Sequence, residues 1–121
     1  MKILGIDGSQ GNGYTRKLLE RALSAAKKKG AQTKIIHLPN KKAKRILSEC
    51  DGVVMATPVH WFNPSATMKE FIDSLTLPLN SKQDFANAPF PLDGIVSAFI
   101  AVCEEDGAQQ AINSMMSAMN H

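Results

Sequence analysis

Apolar residues occur along this chain in two alternating patterns, short runs and stretches with helical spacing. The runs at residues 2–7, 33–37, 52–56 and 95–102 contain the Ile, Val and Leu typical of strands covered on both faces. Between the runs, apolar residues recur every three to four positions, and Gly30 follows the first such stretch as a helix stop. This alternation predicts an α/β domain whose parallel sheet has helices on both faces.

Four helices are expected, and the first, third and fourth each have a predicted apolar face. The first begins near Tyr14, and a short second helix spans about residues 42–48. Asn63 is expected to cap the third helix with Pro64 in its first turn, while Asp106 and Gln109 have capping-box spacing before the fourth. The predicted faces are Leu18, Leu19, Ala22, Leu23 and Ala26 in the first helix, Met68, Phe71, Ile72 and Leu75 in the third, and Ala108, Ile112, Met115, Met116 and Met119 in the fourth.

Length and composition indicate one domain over residues 1–121, with a surface connection at residues 76–91. The chain has neither an apolar leader nor a membrane-length apolar segment, so a soluble, cytoplasmic protein is expected. The net charge of +3 comes from lysine-rich clusters at residues 27–29 and 41–45. No aromatic residues interleave with these clusters, which favours solvated surfaces over nucleic-acid binding. Cys50 and Cys103 lack metal or disulfide spacing and are expected to be buried thiols.

A glycine-rich segment joins the first predicted strand to the first helix. Backbone N–H groups at a helix N-terminus can hold a phosphate, and an ordinary strand-to-helix turn is the alternative. The segment lacks the lysine of a Walker A loop and the G-x-G-x-x-G spacing of a dinucleotide loop, so a mononucleotide phosphate is the expected guest. The candidate phosphate contacts are Ser9, Gln10, Asn12, Gly13, Tyr14 and Thr15.

Two motifs resemble those of the flavodoxin-like NAD(P)H-dependent FMN reductases. Residues 8–19 are similar to the family's phosphate loop and following helix, and residues 57–73 to its flavin-ring loop. Residues 103–107 resemble a third flavin loop, so the likeness extends over essentially the whole chain. Three departures stand out: Gln10-Gly11 replaces the family's Pro-Arg, His60 a tyrosine and Phe62 a glycine.

The resemblance implies a three-layer, flavodoxin-like sandwich whose parallel sheet has the order 2-1-3-4. A fifth strand is missing from the pattern, so either the sheet has four strands in a domain shortened at its C-terminus, or the chain is a fragment. FMN is implied outside the carboxyl ends of the strands, where the first and third strands border a crevice. The residues implied around its ring are Pro58, Val59, His60, Trp61, Phe62, Asn63, Cys103, Glu104 and Gly107.

The resulting hypothesis is an oxidoreductase that passes hydride from NAD(P)H through FMN to a small acceptor such as a quinone or free flavin. In such an enzyme the flavin performs the chemistry, so no catalytic side chain is expected, and the histidines have no metal spacing. An iron–sulfur centre is not expected, because residues 38–49 contain no cysteine. A non-enzymatic FMN electron carrier and a flavin-free interaction domain remain alternatives. Exposed edges of sheets associate, so a homodimer or larger homo-oligomer is expected, with no nucleic-acid or membrane partner.

Overall fold

The computed structural model describes residues 1–75 and 93–119, which form five strands and four helices. The predicted surface connection at residues 76–91 lies outside the described residues. The elements in chain order are β1 (Lys2–Asp7), α1 (Tyr14–Lys28), β2 (Gln32–His37), α2 (Ala43–Ser48), β3 (Gly52–His60), β4 (Asn63–Pro64), α3 (Ala66–Ser74), β5 (Val96–Val102) and α4 (Ala108–Met119).

Four parallel strands form the sheet in the order β2-β1-β3-β5, and the short β4 pairs antiparallel with the end of β3. The predicted order 2-1-3-4 is therefore confirmed, with β5 as the fourth predicted strand. Strand β3 is longer than predicted. Its continuation pairs first with the end of β5, Pro58 opposite Val102, and then with β4, Val59 opposite Pro64.

Apolar clusters lie on both faces of the sheet, as the mixed α/β pattern predicts. Leu4, Ile6 and Met55 face a large cluster that contains the buried Met68 and Met115. A smaller cluster joins α1 to the opposite face of the sheet through Leu19, Leu23 and Ala56. The predicted face of α3 is buried over its whole length, including Phe71, Ile72 and Leu75.

The predicted face of α1 needs a correction. Its buried residues are Thr15, Leu19 and Leu23, which lie four positions apart and therefore form one row along the helix. Leu18 is displaced from that row by one residue and is 45% exposed.

Asn63 does not cap α3. The chain turns back after β3, so Asn63 and Pro64 are extended and paired with that strand. Helix α3 therefore begins two residues later than predicted, and the Ser65 hydroxyl caps it by accepting a hydrogen bond from Met68 N at 3.2 Å.

The predicted capping box of α4 is also wrong. Asp106 accepts a hydrogen bond from the N–H of its neighbour Gly107, and the Gln109 side chain donates to Asn113. Met116, on the predicted apolar face of α4, is 39% exposed. Neither cysteine is fully buried, because Cys50 and Cys103 lie at intermediate depth with free thiols.

The two basic clusters differ in their surroundings. Lys27 and Lys28 lie exposed in the last turn of α1, where cations meet the negative end of the helix dipole. Lys44 is partly buried and donates to the backbone carbonyl of Ser74 at 2.7 Å, and burial lowers the pKa of its ammonium group. Among the described residues, no helix has the length and apolar character needed to cross a bilayer.

Candidate functional site

A crevice of about 950 Å³ opens at the carboxyl ends of β3 and β5 and at the start of α1. Three chain segments that are distant in sequence converge there, which is the usual position of ligands in open α/β sheets. The first turn of α1, the end of β3 with its turn, and the loop after β5 line it. The lining residues are Tyr14, Thr15, Pro58, Val59, His60, Trp61, Phe62, Val102, Cys103, Glu104, Glu105 and Asp106.

The start of α1 has free backbone donors beside this crevice. Gly13 is the N-cap, and no side chain caps the helix. The first N–H groups of an α-helix have no partner within the helix and carry its positive dipole end. A side chain added at Gly11 or at Gly13 would meet no atom within 4 Å, so the space above this loop is open. This arrangement suits an anion such as a phosphate.

Beneath the same loop lies a buried carboxylate that the sequence patterns did not indicate. Asp7, the last residue of β1, is fully buried, and its Oδ1 accepts from Ser9 N at 2.9 Å and from Ser9 Oγ at 2.6 Å. Its Oδ2 accepts from Arg16 Nη1 at 3.3 Å. His37 Nε2 lies 3.9 Å from the same oxygen. The hydroxyl of Ser9, a candidate phosphate contact, is therefore directed at Asp7.

Arg16 belongs to α1 but reaches two carboxylates. Its Nε donates to Glu20 at 2.9 Å, one helical turn further along. The hydrogen bond to Glu20, together with the hydrogen bond to Asp7 and its negative charge, raises the pKa of the Arg16 guanidinium, while burial opposes them. The positive charge of this side chain thus lies against the base of the glycine-rich loop.

Strand β3 and β4 form a hairpin whose two-residue turn is Trp61-Phe62. His60 pairs with Asn63 across this turn, and both turn residues have positive φ, 53° for Trp61 and 67° for Phe62. Paired positive φ values are typical of a type I′ hairpin, which normally contains Asn or Gly. The Asn63 amide donates to the Trp61 carbonyl at 2.9 Å and stabilises the turn.

The hairpin presents aromatic side chains to the crevice. Trp61 is 90% exposed and Phe62 is 48% exposed, and Tyr14 stands 76% exposed on the α1 side. Backbone strain in bulky residues is found where a structure holds side chains for a function. Exposed aromatic faces at the border of a crevice can stack on a planar ligand.

The loop after β5 packs directly against this hairpin. Gly107 has φ of 101°, and a Cβ atom there would lie 3.0 Å from Phe62 Cα and 3.1 Å from Val59 Cγ1. Only glycine allows both this conformation and this approach. Exposed Glu104, Glu105 and Asp106 give this side of the crevice a negative charge.

Hydrogen bonds through Ser65 join the glycine-rich loop to α3. The Ser65 hydroxyl donates to the Gly8 carbonyl at 2.7 Å, and its backbone N–H donates to the Thr57 hydroxyl at 2.8 Å. The Thr67 hydroxyl also donates to the Gly8 carbonyl, at 3.3 Å. The ends of β1 and β3 are thereby held together beside the crevice.

The candidate residues from the sequence divide into three groups by position. Most lie on the crevice wall: Tyr14, Thr15, Pro58, Val59, His60, Trp61, Phe62, Cys103 and Glu104. Gln10, Asn12 and Gly13 are exposed on the glycine-rich loop. The others support the wall from behind: Ser9 binds Asp7, Asn63 stabilises the hairpin turn, and Gly107 contacts Phe62.

Sequence reasoning missed Asp7, Arg16 and Ser65. A polar residue at the end of an otherwise apolar strand was the available signal for Asp7, and a serine three residues before Met68 was the signal for Ser65. The described residues contain no group of three or more His, Cys, Asp or Glu placed to hold a metal ion.

The profile of the NADPH-dependent FMN reductase family matches residues 1–121 of the chain. The chain belongs to this family. Among curated proteins it is similar to an iron-sulfur flavoprotein of Archaeoglobus fulgidus, with 30% identity in an alignment that covers 62% of this chain and 46% of that protein.

Solved structures show the same flavodoxin-like fold. One is RosB with a bound 8-demethyl-8-formylriboflavin-5'-phosphate intermediate, at a TM-score of 0.80 and 17% identity over 99% of this chain and 59% of RosB. Another is the NADH:FMN oxidoreductase EMOB in its apo form, at a TM-score of 0.75 and 24% identity over 98% of this chain and 68% of EMOB. The chain thus spans 46% and 59% of the iron-sulfur flavoprotein and of RosB.

Proposed function

We propose that this member of the FMN reductase family binds FMN in the crevice and passes hydride from NAD(P)H through FMN to a small acceptor. The observation that carries the proposal is the joint lining of one crevice by Tyr14 and Thr15, by the β3–β4 hairpin and by the loop after β5. When bound, FMN supplies the redox chemistry, because its ring can take up a hydride and release the electrons to a second substrate.

The residues at the two ends of the crevice suit the two ends of FMN. The uncapped first turn of α1 offers main-chain donors and a positive dipole for the phosphate. Exposed Trp61 at the hairpin tip offers a stacking face for the ring, and the neighbouring peptide groups offer hydrogen bonds to its polar edge. The protein would therefore bind and orient the reactants, with no acid–base side chain required.

Flavin titration tests the binding half of this proposal. The purified chain is expected to bind FMN, and equilibrium dialysis measures this binding. Trp61→Ala should weaken binding by about three- to tenfold, the loss expected for an aromatic stacking contact. Val96→Ala is the matched control, because Val96 is also apolar and 74% exposed but lies at the opposite end of β5 from the crevice.

Anaerobic mixing with NADPH or NADH tests the reaction. Loss of the visible flavin absorption is expected for the enzyme. FMN uptake without that loss would instead indicate an electron carrier. No uptake of FMN would indicate a flavin-free interaction domain, and this proposal would be wrong.

A further inference from the structure

A fully buried carboxylate beneath a candidate phosphate loop is unexpected, because a negative charge there opposes a bound anion. Asp7 is such a group, with no exposed surface. Both of its hydrogen bonds to Ser9 end on Oδ1, and Arg16 Nη1 lies 3.3 Å from Oδ2. The loop is thus joined to an ion pair whose carboxylate is buried and whose guanidinium is partly exposed.

The contacts of Ser9 determine what remains for a phosphate. A serine has two donors, its N–H and its hydroxyl proton. Both donors are directed at Asp7. The hydroxyl oxygen also lies 3.2 Å from the carbonyl oxygen of Gly11. A phosphate at this loop would therefore depend on donors beyond Ser9 and on the local charge.

The charged groups linked to Asp7 come from three elements. Asp7 ends β1, Arg16 extends from α1, and the imidazole of His37 at the end of β2 is about half exposed. Glu20 also pairs with Arg16, but it is 55% exposed one turn further along the helix, and water screens it. Asp7 is thus the negative charge that is both buried and hydrogen-bonded to the loop.

We propose that Asp7 is a positioning residue that orients Ser9 away from the anion, and that the Asp7–Arg16 pair sets how strongly the loop prefers a phosphorylated flavin. This inference rests on the proposed FMN site. In the wild-type chain the two charges balance. Removing the charge of Asp7 should raise the affinity for the phosphate, and removing that of Arg16 should lower it. Neither change should alter the affinity for the flavin ring appreciably.

The measurement is the ratio of the dissociation constants for riboflavin and FMN, which differ only in the phosphate. Asp7→Asn should raise this preference for FMN by about fivefold, and Arg16→Gln should lower it by about fivefold, as expected for one charge near a protein surface. The double variant Asp7→Asn/Arg16→Gln should return to about the wild-type ratio, because its local charge is again balanced. All titrations use one buffer at one fixed pH.

Glu20→Gln is the matched control. It also removes one carboxylate from Arg16, but the hydrogen bonds of Ser9 run to Asp7 and Gly11, and Glu20 pairs with Arg16 alone. Its ratio should stay within about twofold of the wild type, as expected for an exposed pair. A purely structural role for Asp7 predicts a different result. The double variant would then bind FMN as weakly as the weaker-binding single variant does.

Calorimetry of the flavin-free protein gives a second readout. Inorganic phosphate should raise the melting temperature most in Asp7→Asn and least in Arg16→Gln, because ligand binding stabilises the folded state. If wild type binds neither flavin, the proposed function fails while this phosphate series still tests the inference. If the wild type binds FMN, but neither the ratio of dissociation constants nor the effect of phosphate on the melting temperature changes in the Asp7 and Arg16 variants, the inference alone is wrong.

Discussion

The contact between Gly107 and Phe62 gives a sharp test of the site, because another glycine provides a matched reference. Gly107 has φ of 101° and Gly30, after α1, has φ of 99°. A Cβ atom at Gly30 would meet no atom within 4 Å, whereas at Gly107 it would lie 3.0 Å from both Phe62 Cα and Phe62 Cδ1. Alanine at either position therefore carries the same backbone strain, and only one adds a steric clash.

The size of each effect follows from these distances. Gly30→Ala should lower the free energy of unfolding by about 1–3 kcal/mol, the cost of holding alanine in a conformation that glycine prefers. Gly107→Ala should lose that amount and about 1–3 kcal/mol more, since Phe62 Cα is backbone and the hairpin must move to relieve the overlap. The difference between the two variants measures the contact between the loop after β5 and the hairpin.

Urea unfolding of both variants, followed by circular dichroism, gives the two free energies. FMN titration of the same samples should show weaker binding only in Gly107→Ala, since only that change displaces Phe62 at the crevice. Equal losses of stability in the two variants, within about 0.5 kcal/mol, would mean that the loop after β5 does not contact the hairpin in solution. The wall of the crevice formed by the hairpin and the loop after β5 would then differ from the one described above.

Three further outcomes are expected. Ser65→Ala should lower the free energy of unfolding by about 1–3 kcal/mol, because it removes both the cap of α3 and the bond to the Gly8 carbonyl; urea unfolding measures this, and an unchanged midpoint would contradict it. Burial, the largest of several effects, raises the pKa of the Cys50 thiol, so the variant Cys103→Ser should react with iodoacetamide only at higher pH than free cysteine does; a matching pH profile would refute this. One edge of β5 pairs with β3 and its other edge has no partner among the described residues, so the 121-residue chain should form a homo-oligomer; light scattering that gives a monomer mass would exclude it.

The strand order and the apolar face of α3 were predictable because buried strands and amphipathic helices leave periodic signals. The run at Gly52–Ala56 and the row of Met68, Phe71 and Ile72 are examples, and the structure has both where the pattern indicates. The convergence of distant segments at the carboxyl edge followed from the topology of a parallel sheet. These features depend on many residues acting together.

The details of the site depend on single residues, and here the sequence was ambiguous. Asn63-Pro64 and Ser65 both have the chemistry of a helix start, and only the pairing of β4 with β3 decides between them. The turn at Trp61-Phe62 contains no glycine, so nothing local indicates its positive φ values. The bond from Ser9 to Asp7 has no signal of its own in the sequence, because a serine in a glycine-rich loop has the chemistry of a phosphate contact as well.

The chain contains one tryptophan, Trp61, and it stands almost entirely in water at the hairpin tip. Its emission in the flavin-free protein should therefore be that of a hydrated indole and should shift little when the chain unfolds. A flavin absorbs light where indole emits, so a ring that stacks on this side chain would quench it by energy transfer. The same exposure that makes this residue a poor probe of folding makes it a built-in optical sensor of ligand arrival.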